Sequence, residues 1–305
     1  MLTMRDVLQA RRTLAGHLPP TPSWSYPLLD DAAGRRVVVK HENAQPTGAF
    51  KVRGALNLLA GLDDLGEEVV TYSTGNHARA IAYAAREYGR KATVVMPEHA
   101  AELKVRAVEA LGATVIRHGA NMGDAEAHAR TLPGRLVSPG DEPALIAGVA
   151  TVYAELLERH PELDTIVVPV GSGTGAAAAC LVAAALAPGC RVIGVQSQAA
   201  PAAHDSWRSG TLVHRGNTTR VDGLATGRGF AAPQELMRAH LAEFVLVGDD
   251  AIDEARRLLA RRACTQAEGA GAAALAGVLA RPDLMGASVA VVVTGANATE
   301  LELAR

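Results

Sequence analysis

Val69-Val70-Thr71-Tyr72-Ser73-Thr74-Gly75-Asn76-His77 runs from a β-branched stretch, through a turn of small hydrogen-bonding residues, into a helical pattern. That succession is a βα unit, and the unit recurs after it. Apolar runs at 92–96, 113–116 and 135–137 predict strands, with helices over about 76–88, 101–111 and 124–131 between them. A second series follows, with a helix over 143–159, a strand over 165–169, a helix over 173–186, and strands over 191–195, 243–247 and 288–293. Such alternation predicts an α/β fold of two open, mainly parallel twisted sheets flanked by helices.

No low-complexity linker divides the two series. Turn residues at Asp63-Asp64-Leu65-Gly66 and Ser138-Pro139-Gly140-Asp141 mark the boundaries instead. They predict a small domain, residues 65–142, inserted into a larger one of residues 1–64 and 143–305, with a ligand cleft between them. A length of 305 residues with 49% hydrophobic content suits two cores of ordinary size. The formal net charge of -2 leaves no electrostatic case for nucleic acid or a membrane surface. The N-terminus lacks a signal-peptide layout, and the alanine-rich run at 176–187 is too short to span a bilayer. Cys180, Cys190 and Cys264 form no close pair and read as small core residues of a reducing compartment. A cytoplasmic chain binding neither nucleic acid nor membrane is expected.

Gly48-Ala49-Phe50-Lys51-Val52-Arg53-Gly54-Ala55 carries the reactive candidate. A lysine where a polar loop meets a helix can form an imine with an aldehyde cofactor. The chain has only four lysines. Lys40 ends an apolar strand over 36–40, Lys91 and Lys104 flank helices in solvent-facing positions, and only Lys51 sits among small residues. A solvated helix-start lysine is the ordinary alternative.

Gly171-Ser172-Gly173-Thr174-Gly175 lies between a strand and a helix, where converging amides and the helix terminus can cradle a phosphate. A plain tight turn is the other reading. A dinucleotide fits less well, because the spacing is G-x-G-x-G and Gln196 stands where a ribose-binding acid is expected. Ser73 to His77 offers free helix-start amides to a carboxylate, and Asn76 both donates and accepts. Capping by Ser73 or Thr74 is the simpler role there, and His77 reads as a structural histidine. Thr294-Gly295-Ala296-Asn297 follows the last apolar strand, on the same sheet edge as the phosphate loop.

In this order the pieces resemble the fold-type II pyridoxal-phosphate enzymes, which are tryptophan synthase β-like, and most closely their threonine/serine dehydratase branch. Lys40-x-Glu42, the phenylalanine-lysine-x-arginine-glycine pattern, Val221-Asp222-Gly223-Leu224-Ala225 and Glu268-Gly269-Ala270-Gly271 complete the match. The resemblance implies that Lys51 holds pyridoxal 5'-phosphate, that Phe50 packs against its ring, and that Asn76 bonds its 3-hydroxyl. It implies that Gly171, Ser172, Gly173, Thr174 and Gly175 bind the phosphate, with Thr294 facing the ring nitrogen and Glu268 near the cofactor. Ser73, Thr74, Gly75, Asn76 and His77 would take the carboxylate of a small amino-acid substrate. Thr74 aligns with a serine that acts as second acid/base in racemising relatives, so Lys51 and Thr74 are the catalytic candidates. A homodimer is the usual assembly of the family.

Several positions depart from the pattern. Ala49 replaces a common serine, Gly148-Val149-Ala150-Thr151 replaces glycine-glutamine-glycine-threonine, and Gln196 and Ala202 stand where some relatives carry metal-binding carboxylates. No metal is therefore expected. No chain follows Arg305 for a regulatory domain, so an unregulated or catabolic type is expected. The leading expectation is β-elimination from L-threonine or L-serine type substrates. The alternatives are a serine or aspartate racemase, a β-replacement enzyme and, outside this cofactor class, a nucleotide-binding oxidoreductase.

Overall fold

The computed structural model describes residues 2–63 and 67–304, so Asp64, Leu65 and Gly66 of the first expected boundary lie outside the described residues. In chain order the strands are β1 (Ser23–Ser25), β2 (Arg36–His41), β3 (Val69–Tyr72), β4 (Ala92–Met96), β5 (Thr114–Arg117), β6 (Arg135–Val137), β7 (Thr165–Pro169), β8 (Arg191–Ser197), β9 (Leu241–Val247) and β10 (Ser288–Val293). The helices are α1 (Met4–Leu14), α2 (Pro27–Ala33), α3 (Lys51–Ala60), α4 (Asn76–Glu87), α5 (Glu102–Glu109), α6 (Met122–Ala129) and α7 (Pro143–Arg159). They continue with α8 (Thr174–Leu186), α9 (Ala202–Ser209), α10 (Ala231–His240), α11 (Asp249–Arg262), α12 (Gly269–Ala280) and α13 (Glu300–Leu303).

Two sheets result, one of six strands in the order β1-β2-β10-β7-β8-β9 and one of four in the order β5-β4-β3-β6. Among the described residues every strand pairing within the two sheets is parallel except β1 with β2. The antiparallel β1 was not foreseen, because Ser23-Trp24-Ser25 has neither the length nor the β-branched content of a strand signal. The two sheets share no strand, and on that ground we propose residues 65–142 as the smaller domain.

The large sheet is apolar on both faces because helices cover both. Val38, Val168 and Val292 point into a core with α7 and α8, while their neighbours Val37, Val39, Val167 and Val291 point into the opposite core with α11 and α12. The small sheet packs Val69 and Val94 against α3 and α4. Val70, Tyr72 and Val95 meet Ala125 and Ala129 of α6 on its other face. Helix α3 crosses α7 at close range, since a Cβ on Gly148 would lie 2.5 Å from the Arg53 carbonyl oxygen.

That crossing encloses a cluster of charges. Arg53 donates to both carboxylate oxygens of Glu42 at 2.8 Å, to Glu155 at 2.6 and 3.0 Å, and to the Thr151 hydroxyl at 3.0 Å. Lys40 completes it, 2.6 Å from Glu155. Two cations thus face two carboxylates, with Arg53 2% and Glu42 0% exposed. Burial opposes ionisation of Glu42, but Arg53 and Lys40 outweigh it and hold the carboxyl below its ordinary value.

Two sequence expectations are corrected. Cys180 and Cys190 are buried, but Cys264 is exposed, in the turn between α11 and α12, with φ +48°. Lys104 is not simply solvent-facing, because it pairs with Asp222 on the far side of the cleft.

Removing the Arg53 guanidinium leaves Glu42 buried without its main partner, so Arg53→Met is expected to cost about 3–5 kcal/mol in chemical denaturation. A loss below about 1 kcal/mol would contradict this account of the cluster. Because the folded pKa of Glu42 is depressed, its stabilisation is present above the ordinary carboxylate pKa and lost as pH falls through the folded value. Glu42→Gln should therefore flatten the acid limb of the stability profile.

Candidate active site

Three segments meet at the cleft floor. The Phe50 amide donates to the Thr294 carbonyl at 2.9 Å, the Ala296 amide to Gly48 at 2.9 Å, and the Glu268 amide to Gly295 at 3.0 Å. These bonds place Lys51, the first residue of α3, beside the end of β10 and the start of α12. Opposite them, a cleft of about 860 Å³ is lined by Ser73 to His77, by Gly171 to Gly175, and by Phe50, Lys51, Glu268 and Thr294. All residues nominated from the sequence thus line one cavity.

The strand-to-helix loop after β7 is shaped by its glycines. A Cβ on Gly171 would lie 2.3 Å from the Gly223 carbonyl oxygen, and Gly173 has φ +96°. Helix α8 starts at Thr174 without a side-chain cap, so its first amides are left for a ligand. A Cβ on Gly175 would lie 3.5 Å from the Phe50 ring, which places that ring against the loop.

Charge in the cleft is unusually poised. Desolvation lowers the Lys51 amine to about 8, against the opposing pull of Glu268. Among the described residues Lys51 has no carboxylate partner within 4 Å. Burial raises the Glu268 carboxyl to about 7, although the Asn76 amide, 2.5 Å away, works the other way. Near neutral pH a share of each group is therefore uncharged.

Other nominated residues take local roles. Ser73 Oγ accepts from the Gly75 amide at 3.2 Å. Thr74 is not the helix cap: Gly75 occupies that position without a side-chain bond, and the Thr74 hydroxyl has no hydrogen-bond partner among the described residues. His77 Nε2 lies 3.0 Å from Thr71 Oγ1. Since Thr71 donates its own proton to the Val137 carbonyl, His77 donates through Nε2. Burial and the Lys51 charge hold its pKa down at about 3, so it stays neutral.

Sequence reasoning missed several cleft residues. Arg79 bonds Asn297 at 2.5 Å, and Arg228 bonds Glu126 at 3.0 Å while lying over the Phe230 ring. With Lys104–Asp222, the Arg228–Glu126 pair links the small-sheet side to the segment 222–230. Glu126 and Arg228 are 102 residues apart, and nothing local announces their meeting. At the position expected to lack a metal, Gln196 Oε1 accepts from the His204 amide at 3.0 Å. No group of three or more His, Cys, Asp or Glu among the described residues could hold a metal ion.

A phosphorylated aromatic aldehyde fits these donors. The loop offers amides and the hydroxyls of Ser172 and Thr174, Lys51 offers an amine without an ion partner, and Thr294 offers a neutral hydroxyl.

Comparison with known proteins agrees with this geometry. Residues 14–295 match the family described as "Pyridoxal-phosphate dependent enzyme". An L-threonine ammonia-lyase of Thermotoga maritima is 35% identical over 304 residues, covering 97% of this chain and 76% of the relative. An L-threo-3-hydroxyaspartate ammonia-lyase of Saccharomyces cerevisiae is 35% identical over 303 residues, covering 97% and 93%. The structure of maize serine racemase superposes with a TM-score of 0.93 at 29% identity, covering 99% of this chain and 95% of that one. The chain belongs to the pyridoxal-phosphate dependent enzymes.

Adding pyridoxal phosphate and then borohydride to cofactor-free protein should place the reduced adduct on Lys51. Its rate should rise with pH through about 8 as the amine loses its proton. Peptide mapping of the adduct to Lys40, Lys91 or Lys104 would contradict the site.

Proposed function

We propose that this member of the pyridoxal-phosphate dependent enzymes is an ammonia-lyase. It eliminates water from β-hydroxy amino acids of the L-threonine or L-serine type and yields a 2-oxo acid and ammonia. The observation that carries the reading is the Lys51 amine, lowered to about 8 and free of an ion partner, in one cleft with the glycine loop 171–175. The lyase names of the relatives described above support it.

When bound, the cofactor spreads the electron pair left at the substrate α-carbon over its conjugated ring. The residues do the rest. The amides and hydroxyls of 171–175 would hold the phosphate, Asn76 would donate to the 3-oxygen, and Phe50 would support the ring. Thr294, a neutral hydroxyl, would leave the ring nitrogen unprotonated, which favours prompt loss of the β-hydroxyl over reactions needing a long-lived carbanion. The helix-start amides of Asn76 and His77 suit the substrate carboxylate. Lys51, with an amine titrating near 8, is matched to taking the α-proton at neutral pH. The unsaturated amine released then hydrolyses in water.

A homodimer is the assembly the family resemblance implies, cysteine usage fits a reducing cytoplasm, and sedimentation of the purified chain tests the assembly. Among the described residues no helix is long and apolar enough to cross a membrane.

One observation favours racemisation as a side reaction: Thr74 lines the cleft, and its hydroxyl has no hydrogen-bond partner among the described residues. Thr74→Ala should leave elimination of L-serine largely intact while abolishing turnover and α-deuterium exchange of D-serine. Unchanged D-serine reactions in this variant would remove Thr74 from the mechanism.

Lys51→Ala should lower 2-oxo acid release by about 10²-fold or more. An assay across threonine, serine and 3-hydroxyaspartate tests the substrate class, and no 2-oxo acid from any of them would overturn the lyase reading.

A further inference from the structure

A hydrogen-bond relay runs along one wall of the cleft, and its direction is fixed at both ends of one amide. Arg79, in the first turns of α4, donates to Asn297 Oδ1 at 2.5 Å. Asn297 Nδ2 then donates to the Thr47 carbonyl at 2.8 Å and to Asn76 Oδ1 at 2.7 Å. Asn76 Nδ2 in turn donates to Glu268 Oε1 at 2.5 Å. A guanidinium can only donate and a backbone carbonyl can only accept. Arg79 and Thr47 therefore impose the same orientation on the Asn297 amide. With its oxygen engaged by Asn297 and one Nδ2 hydrogen on Glu268, Asn76 keeps its second Nδ2 hydrogen for an acceptor in the cleft.

We propose that Arg79 is a positioning residue which, through Asn297, locks the Asn76 amide to donate toward the cofactor's 3-oxygen and so favours the anionic 3-oxide. This rests on the assignment of Lys51 and Asn76 to pyridoxal phosphate. A locked donor suits an acceptor without a proton, whereas a freely rotating amide would serve the 3-hydroxyl equally well. The guanidinium charge at the far end polarises each bond in the same sense. Among the described residues no carboxylate lies within 4 Å of Arg79, so its charge is not quenched by an ion pair.

Other charged groups surround this wall. Lys51 comes from α3, Glu268 from the start of α12, Lys104 from α5, Asp222 from the turn before residue 225, and Glu302 from α13. Glu268 titrates near 7 and would overlap the spectral change. The comparison is therefore repeated in a Glu268→Gln background, where the Arg79 effect should persist.

The test reads the bound cofactor's absorption against pH, following the visible band of the 3-oxide and the near-ultraviolet band of the 3-hydroxyl. Dissociation constants are measured for pyridoxal phosphate and for its 3-deoxy analogue. Arg79→Met should raise the interconversion pH by about one unit, equal to a tenfold change in the ionisation constant. It should weaken pyridoxal phosphate by a similar factor and leave the 3-deoxy analogue unaffected. Arg79→Lys, which still only donates, should recover most of the shift. Asn297→Asp keeps a partner for Arg79 but removes the onward donor, and it should reproduce the Arg79→Met spectrum should that variant fail to fold. Unchanged spectra in Arg79→Met or Asn297→Asp, or an equal loss of the 3-deoxy analogue, would overturn the relay while leaving the cofactor site standing. A wild-type protein without a borohydride-stable adduct on Lys51 would overturn both.

Discussion

The first turn of α3 depends on one buried guanidinium. Arg53 ties the helix to Glu42, just past the end of β2, and to Thr151 and Glu155 of α7, all within hydrogen-bonding distance. Lys51 lies two residues upstream, so these bonds also set where its amine stands. A surface ion pair would be too weak and too mobile for that task. This one is enclosed, and releasing either partner strands a charge in the interior. The backbone bonds from Phe50 to Thr294 and from Ala296 to Gly48 then fix the same turn to the end of β10.

From that anchor the chemistry of the cleft follows. The amine is desolvated to about 8 and the nearby carboxyl is raised to about 7, so both can exchange protons near neutrality. In the proposed reading the phosphate would be held by the loop after a different strand, β7, which has no room for a side chain at Gly171. In the proposed reading a substrate carboxylate would meet the small sheet, at the start of α4. A substrate bound between the two sheets would therefore join groups from both. The Lys104–Asp222 and Arg228–Glu126 pairs cross the same gap.

Much of this was legible in the sequence because it is local. The strand-turn-helix junctions at Ser73 to His77 and Gly171 to Gly175 announce themselves through small donors between an apolar run and a helical pattern, and both line the cleft. Lys51 stood out through the residues around it. What was not legible is set by distant partners. Arg79 sits on an amphipathic helix, where an arginine ordinarily reads as part of the solvated face, and only the fold brings Asn297 to it. Lys104 was misjudged for the same reason, since its partner Asp222 is 118 residues away. Thr74 looked like a cap because threonine often is one, yet the cap position belongs to Gly75. The short antiparallel β1 owes its pairing to the exposed edge of β2 rather than to its own composition.

The proposed site would hold a phosphorylated aldehyde between Lys51 and the loop 171–175. A crystal structure of the protein purified with pyridoxal phosphate tests it most directly. Density should run continuously from Lys51 Nζ to the cofactor, with the phosphate on the amides of 171–175 and the 3-oxygen beside Asn76. Density joined to another lysine, or a phosphate seated away from that loop, would contradict it.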